Sequence, residues 1–116
     1  MFIASQYSLT ILRLACCQFV DDDVLQVLCL KCSRLQELDL QSCENINEFL
    51  PISNLFHLKK LNLYRTNIKT SDLGGIIRSC TQFDSLNIGS CVQIDNCDWI
   101  LQQIATYNPL DIFYSL

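Results

Sequence analysis

The sequence is poor in the residues that build turns and reactive sites. Among 116 residues there are three glycines, two prolines and one histidine. So few turn formers argue against a disulfide-rich miniprotein, although the chain has eight cysteines. A single histidine leaves no histidine pair for a zinc site and makes a thiol nucleophile with its own base improbable. The cysteines therefore need another explanation.

Long apolar runs and a signal peptide are also missing. No stretch approaches the roughly 18 apolar residues of a membrane span. Residues 1–14 carry no base ahead of their apolar part and show no clear cleavage site, so we expect a reducing compartment with free thiols. With a net charge of −4 we expect no basic cluster and no nucleic-acid binding. Because half the residues are hydrophobic and 17% charged, the chain is predicted to be one folded domain.

What the sequence does contain is an internal repeat. The pattern L-x-x-L-x-L-x-x-C occurs four times in the same register, starting at Leu9, Leu35, Leu58 and Phe83, and a degenerate fifth copy begins at Leu110. The central L-x-L alternates with period two, which predicts a short strand with one buried face. Each copy then places one apolar residue in a turn: Val20, Ile46, Ile68 and Ile94.

Helix-like segments follow most of the turns. Residues 24–32 and 73–80 have apolar side chains at helical spacing, and Trp99 belongs to a similar apolar face. The acids at 21–23 are interpreted as helix-capping residues rather than a metal site, with Asp22 or Asp23 as the N-cap, and residues 70–72 offer the same chemistry. Pro51 restricts residues 49–57 to a broken or 3₁₀-like turn.

Stacking of such units gives the fold class. A unit of about 25 residues made of strand and helix cannot bury its apolar side alone, and stacking buries it against the next unit. We therefore predict an α/β leucine-rich-repeat solenoid, or horseshoe, of about four repeats, with a parallel sheet on the concave face and helices on the convex face. Residues 1–116 would form this single domain.

The repeat explains five of the cysteines. A free cysteine in a buried repeated position behaves as a small apolar residue with a weak donor. Thr66 replaces cysteine once, which fits a small side chain that donates to a loop carbonyl. Zinc binding through Cys29-x-x-Cys32, structural disulfides and a catalytic thiol are disfavoured alternatives, so no cofactor or metal is expected. The ninth repeat position holds Cys17, Cys43 and Cys91, and the position three residues before the next strand pattern holds Cys32 and Cys80. Of the others, Cys29 is expected in a helix core, and Cys16 and Cys97 lie outside the repeated positions.

The repeat resembles the cysteine-containing leucine-rich repeats of F-box proteins, as residues 32–46 and 80–94 show most plainly. Residues 61–100 are also similar to the mitochondrial F-box/leucine-rich-repeat subfamily. The resemblance implies substrate recognition for an SCF-type ubiquitin ligase, in an intracellular, cytoplasmic or mitochondrial location. The sequence shows no F-box, so we expect a fragment that would reach the SCF adaptor only through that missing module. A generic repeat scaffold or inhibitor unrelated to ubiquitination is the alternative, and an enzyme is not expected.

A protein partner would bind the side chains that project from the concave sheet between the buried leucines. Tyr64 and Arg65 are of the types most often found as interface hot spots. Charged members of the set can instead pair with each other, Arg13 with Glu37 and Asp39 with Lys60, which is worth little at a surface. The predicted partner-binding residues are Arg13, Glu37, Asp39, Gln41, Lys60, Asn62, Tyr64, Arg65, Ser85 and Asn87.

Overall fold

The computed structural model describes residues 7–108 and 113–115. These residues include one parallel sheet whose five strands follow the order of the chain. Each strand is three residues long, and strands β1 to β4 are centred on the first apolar residue of the L-x-L core. Leu38, Leu61 and Leu86 at the strand centres are buried, which confirms the predicted inward leucines. The strands are β1 (Ile11–Arg13), β2 (Glu37–Asp39), β3 (Lys60–Asn62), β4 (Ser85–Asn87) and β5 (Phe113–Ser115).

The opposite layer contains three α-helices and one 3₁₀ helix. Helix α1 is Asp22–Lys31, α2 is Thr70–Ser79 and α3 is Cys97–Tyr107. Leu50–Asn54 is a 3₁₀ helix with Pro51 in its first turn, as the proline in residues 49–57 predicted. The apolar face of α2 is fully buried, as is Cys29 on α1. The leucine-rich-repeat solenoid predicted from the sequence is therefore the observed fold.

The helix caps differ from the prediction. The N-cap of α1 is Asp21, whose carboxylate accepts the Val24 N–H at 2.9 Å. Asp22 instead accepts the N–H groups of Asn47 and Glu48 at 2.7 and 2.9 Å, so it ties its repeat to the following one. The start of α2 is preceded by Lys69, which provides no side-chain cap. The sequence alone does not show which of three adjacent acids is the N-cap, because a difference of one position decides which carboxylate reaches the free N–H groups at the start of the helix.

The last strand lies one residue later than the copy aligned on Leu110 predicts. Phe113 pairs with Ser85 and Tyr114 with Leu86, whereas that alignment would pair Phe113 with Leu86. Leu110 itself lies outside the described residues. The observed register sets Ser115 against Asn87, in the row that holds Asp39 and Asn62. Ser115 therefore falls in a row of polar residues, and not at the leucine position to which the repeat pattern assigned it.

Asn108 occupies a structural position that the repeat pattern did not reveal. It is 4% exposed and forms the C-cap of α3, as Cys80 does for α2. Its amide donates to the carbonyls of Ile77 and Cys80, both at 3.2 Å, and its oxygen accepts the Phe83 N–H at 3.3 Å. The Cys80 thiol donates to the equivalent carbonyls of Ile52 and Leu55, at 3.5 and 3.2 Å. Asparagine and cysteine thus perform one task, which is to satisfy the carbonyls at the end of the preceding helical segment.

Trp99 is half-buried and packs against Gly74 of α2. A methyl group on Gly74 would lie 2.4 Å from the ring, so only glycine leaves space for the indole. The Arg78 guanidinium lies 5.9 Å from the ring centroid, within the range of a cation–π contact. Trp99 therefore links α2 to α3 at the edge of the core rather than inside it.

Candidate protein-interaction surface

The parallel register aligns the outward side chains of the strands in two rows. Because neighbouring strands lie about 4.8 Å apart, the side chains of one row are in reach of each other. The residues of the two rows are half-buried or exposed; of the leucines between them, Leu38, Leu61 and Leu86 are buried and Leu12 is half-buried. The first row is Ile11, Glu37, Lys60 and Ser85, and the second is Arg13, Asp39, Asn62 and Asn87.

The second row mainly serves the turns that end the strands. The side-chain oxygens of Asp39, Asn62 and Asn87 each accept the N–H two residues later at 3.0 Å. This is the local bond that aspartate and asparagine form in turns. Asn62 also donates to the Gln41 amide oxygen at 3.1 Å. Three predicted partner-binding residues therefore have a structural role that leaves only part of each side chain for a ligand.

The Glu37 carboxylate of the first row has a cation on each neighbouring strand, Arg13 on β1 and Lys60 on β3. Glu37 lies across from Lys60, yet its carboxylate pairs with Arg13 of β1 at 2.8 Å. Within residues 7–108, neither Glu37 nor Asp39 forms an ion pair with Lys60. The Arg13–Glu37 pairing foreseen from the sequence is present, and the Asp39–Lys60 pairing is not. Lys60 therefore keeps an exposed ammonium group without a carboxylate partner among the described residues.

Tyr64 rests on the backbone of the next repeat. Its Cδ1 would lie 3.0 Å from a methyl group on Gly89, so the ring packs closely over this glycine and a larger residue would push it outward. The ring is half-buried: the contact with Gly89 restrains one part of it, and the other part is exposed. The sequence offered no sign that Gly89 supports Tyr64.

The residue after each of these turns has a left-handed backbone without being glycine. Cys16, Ser42, Arg65 and Ser90 have φ between 55° and 61°. Such a conformation costs roughly 1–2 kcal/mol for a residue with a Cβ. The first three donate their N–H groups to carbonyls of the following repeat, at 2.8–2.9 Å. Inter-repeat hydrogen bonds thus hold Arg65 in this conformation at the end of β3, with its side chain exposed.

Beneath the turns, the ninth repeat position joins neighbouring repeats. The thiol of Cys43 donates to the Leu14 carbonyl at 3.0 Å, and that of Cys91 to the Leu63 carbonyl at 2.9 Å. Thr66 donates at 2.9 Å to Leu63 within its own repeat. The predicted small donor at this position is therefore confirmed, and the two cysteines donate to the preceding repeat whereas the threonine donates within its own.

The cysteines are free thiols, and burial makes several of them hard to ionise. Desolvation raises the pKa of Cys29 and of Cys80 to about 12, and it also raises the pKa of Cys32 and Cys43. Since the thiolate is the nucleophile and the metal ligand, these groups are poorly suited to either role. Within the described residues, no group of three or more potential ligand side chains is positioned to hold a metal ion. Cys16 and Cys97 are exposed.

The basic residues are not dispersed, contrary to the expectation from net charge. Residues 49–71 contain no acid but include Lys59, Lys60, Arg65 and Lys69, half of the eight basic residues in the chain. All four side chains are exposed. The rest of the chain holds all twelve acids. A charge count taken repeat by repeat would have found this feature, which the overall value of −4 conceals.

Known proteins share this architecture and these repeats. Residues 4–106 match the family described as "FBD-associated F-box protein At5g56370, LRR repeats". A curated relative, F-box/LRR-repeat protein 4 of Bos taurus, is 36% identical over 89 residues. That alignment covers 75% of this chain and 14% of the relative.

The fold and the stacked polar rows define a leucine-rich-repeat module. The chain belongs to the leucine-rich-repeat region of the F-box/LRR-repeat protein family. Among the described residues, no helix is long and apolar enough to cross a membrane.

Proposed function

We propose that the chain is the substrate-recognition region of a ubiquitin-ligase receptor and binds a protein through its concave sheet. The observation that supports this is the alignment of side chains from successive repeats into two continuous rows. A flat array of this kind suits an extended protein surface, because each strand adds contacts at a regular spacing. Membership of the F-box/LRR-repeat family supports the link to ubiquitination.

Substitutions of Tyr64 and Asp39 test the concave surface in two different ways. Tyr64→Ala removes a ring held against Gly89 without breaking a side-chain hydrogen bond shown in the described region. Asp39→Asn removes a charge but keeps the oxygen that accepts the Gln41 N–H at 3.0 Å. Both variants should fold, so a loss of binding would report the surface itself.

Matched controls lie on α3, in the convex layer. Tyr107→Ala and Asp98→Asn make the same chemical changes at exposed positions of that helix. The tagged chain and its four variants would be expressed in cells, and co-purifying proteins would be quantified by mass spectrometry. We expect a set of proteins to be lost with both concave variants and retained with both controls. Equal losses from the two faces, or no loss from either, would refute the concave assignment.

The link to ubiquitination needs its own measurement. The chain on its own should compete with a complete receptor for a shared substrate, so its overexpression should lengthen that substrate's half-life in a cycloheximide chase. Tyr64→Ala should abolish the effect and Tyr107→Ala should not. If concave-face partners are found but their ubiquitination and half-life do not change, the alternative of a generic repeat scaffold or inhibitor is the better description.

The location of this activity is proposed from the same membership. An F-box/LRR-repeat region is expected to act inside the cell, in the cytoplasm or at mitochondria. Fractionation of cells that express the natural gene product would distinguish the two compartments.

A further inference from the structure

We propose that the partner presents a short acidic segment with an apolar or aromatic side chain, and that this segment binds the third repeat. The inference rests on the proposed function and specifies the ligand chemistry of the same face. The binding site, here called the third-repeat patch, consists of Lys60, Tyr64 and Arg65.

The first argument is the charge left unneutralised on this repeat. Glu37 on β2 has a cation on each neighbouring strand, Arg13 on β1 and Lys60 on β3, and it pairs with Arg13. Arg65 is likewise exposed, and within the described region its guanidinium forms no ion pair. Two cations in a chain of net charge −4 therefore remain available to carboxylates from outside. Electrostatic complementarity of this kind selects partners and accelerates their association.

The second argument is the fixed aromatic ring between the two cations. Tyr64 is held on Gly89, so little side-chain entropy remains to be lost when a ligand covers the exposed part of the ring. Tyrosine with arginine beside it is a combination enriched at interface hot spots. An apolar or aromatic side chain of the partner would contact this ring, and carboxylates would lie on either side of it.

The spacing limits the size of the segment. Lys60 and Arg65 are five residues apart along a strand and its turn, so their Cα atoms are at most roughly 18 Å apart. An extended segment with two acids about four or five residues apart spans that distance. The acids of neighbouring repeats confine the patch: Asp39 precedes it in the sheet and the exposed Asp84 follows it. A long phosphate polymer or a membrane surface would meet those acids, whereas a short peptide would not.

The test uses a defined probe because the natural partner is unknown. The probe is a fluorescein-labelled peptide of glutamates with two phenylalanines, and the control peptide has every glutamate replaced by glutamine. Binding to the whole chain would be followed by fluorescence anisotropy at low salt. We expect the glutamate peptide to bind at least about tenfold more tightly than the control and to weaken as salt is added, because exposed charges are screened.

Protein variants assign the binding to the patch. Lys60→Glu and Arg65→Glu should each raise Kd by about fivefold or more. Arg34→Glu, the same change at an exposed base outside the patch, should alter it by less than about twofold. Amide shifts in the ¹⁵N-labelled wild-type chain should concentrate at residues 60–65 and 87–89. Shifts spread evenly over all basic residues, or equal losses for Arg34→Glu, would overturn the proposal.

Two further probes exclude other anionic ligands. Phosphatidylserine vesicles and a single-stranded oligonucleotide should bind more weakly than the peptide. If either binds as tightly with the same dependence on Lys60 and Arg65, the acidic-peptide proposal is wrong. Should Tyr64→Ala release cellular partners while the charge reversals retain them, this inference fails and the proposed function stands. Should neither Tyr64→Ala nor Asp39→Asn release them, the proposed function fails whatever the peptide does.

Discussion

Replacement of Asn108 tests whether one side chain holds the end of α3 against the preceding repeat. The side chain of Asn108 forms three hydrogen bonds, to the N–H of Phe83 and to the carbonyls of Ile77 and Cys80. Asn108→Ala would leave these three backbone groups without that partner in a position only 4% exposed. Each bond contributes about 1 kcal/mol net. We therefore expect the free energy of unfolding to fall by about 3 kcal/mol and Tm by roughly 10 °C.

Asn108→Cys makes the prediction sharper. The Cys80 thiol already donates to the equivalent carbonyls one repeat earlier, so cysteine at 108 should recover part of the donation. It should not replace the strong acceptor for the Phe83 N–H. The expected loss is therefore roughly half that of Asn108→Ala. The ranking of the two variants tests the assigned bonds, and not only the burial of the site.

Urea unfolding followed by tryptophan fluorescence and by circular dichroism would measure the effect. Trp99 is the single tryptophan and lies on α3, the helix that Asn108 caps. Agreement between the two signals would support a two-state transition, which the comparison of free energies requires. Asn54→Ala, at an exposed position in the 3₁₀ helix, is the control. A loss below about 1 kcal/mol for Asn108→Ala, or equal losses for alanine and cysteine, would refute the reasoning.

Two further predictions concern the helices and the buried thiols. Gly74→Ala should destabilise the protein by about 1–3 kcal/mol and shift Trp99 emission to the red, because the new methyl group would lie 2.4 Å from the ring. Gly75→Ala is the control and should be near neutral, because its methyl group would meet only the end of a leucine side chain. Similar losses of stability at both glycines would contradict the assigned contact. Because burial raises the pKa of Cys29 and Cys80 from 9.0 to about 12, these thiols ionise first in the unfolded chain, so the stability that they contribute should be fully present below about pH 9 and be lost as the pH rises toward 12. Iodoacetamide at pH 8 should label the two exposed cysteines of the native chain, and rapid labelling of Cys29 or Cys80 would show that they are not buried.

Most of the fold could be predicted because every repeat buries its apolar residues against the next repeat in the same way, so the same sequence pattern recurs. The spacing of leucines determines which residues face inward, and Pro51 alone predicted the 3₁₀ turn. The β5 register was wrong because Leu110 supplied a plausible first leucine in a segment with few other signals. A one-residue shift in a strand exchanges its faces, and the pairing with β4 decided between the two registers.

The interaction surface was harder to predict for a physical reason. Sequence position shows which residues point outward, but it does not show which hydrogen bonds they already make. Asp39, Asn62 and Asn87 were expected at the surface, and they also close the turns. Lys60 is available to a ligand because Glu37 pairs with Arg13 instead, and side-chain geometry, which the sequence does not show, determines which cation Glu37 pairs with. Binding by any of these residues stays a prediction until the variants are measured.

The left-handed residue at the end of each strand gives the stack a direction of cooperativity. Cys16, Ser42 and Arg65 hold this conformation while their N–H groups bond to the following repeat. The N–H of each left-handed residue therefore depends on the repeat after it for its partner. Disruption of one repeat should loosen the preceding turn and raise amide exchange there, whereas the turn that follows keeps its own onward bond. Local unfolding would then spread toward the N-terminal repeats, so loss of contacts in the fourth repeat could release Arg65 and alter the third-repeat patch without any change in the patch itself.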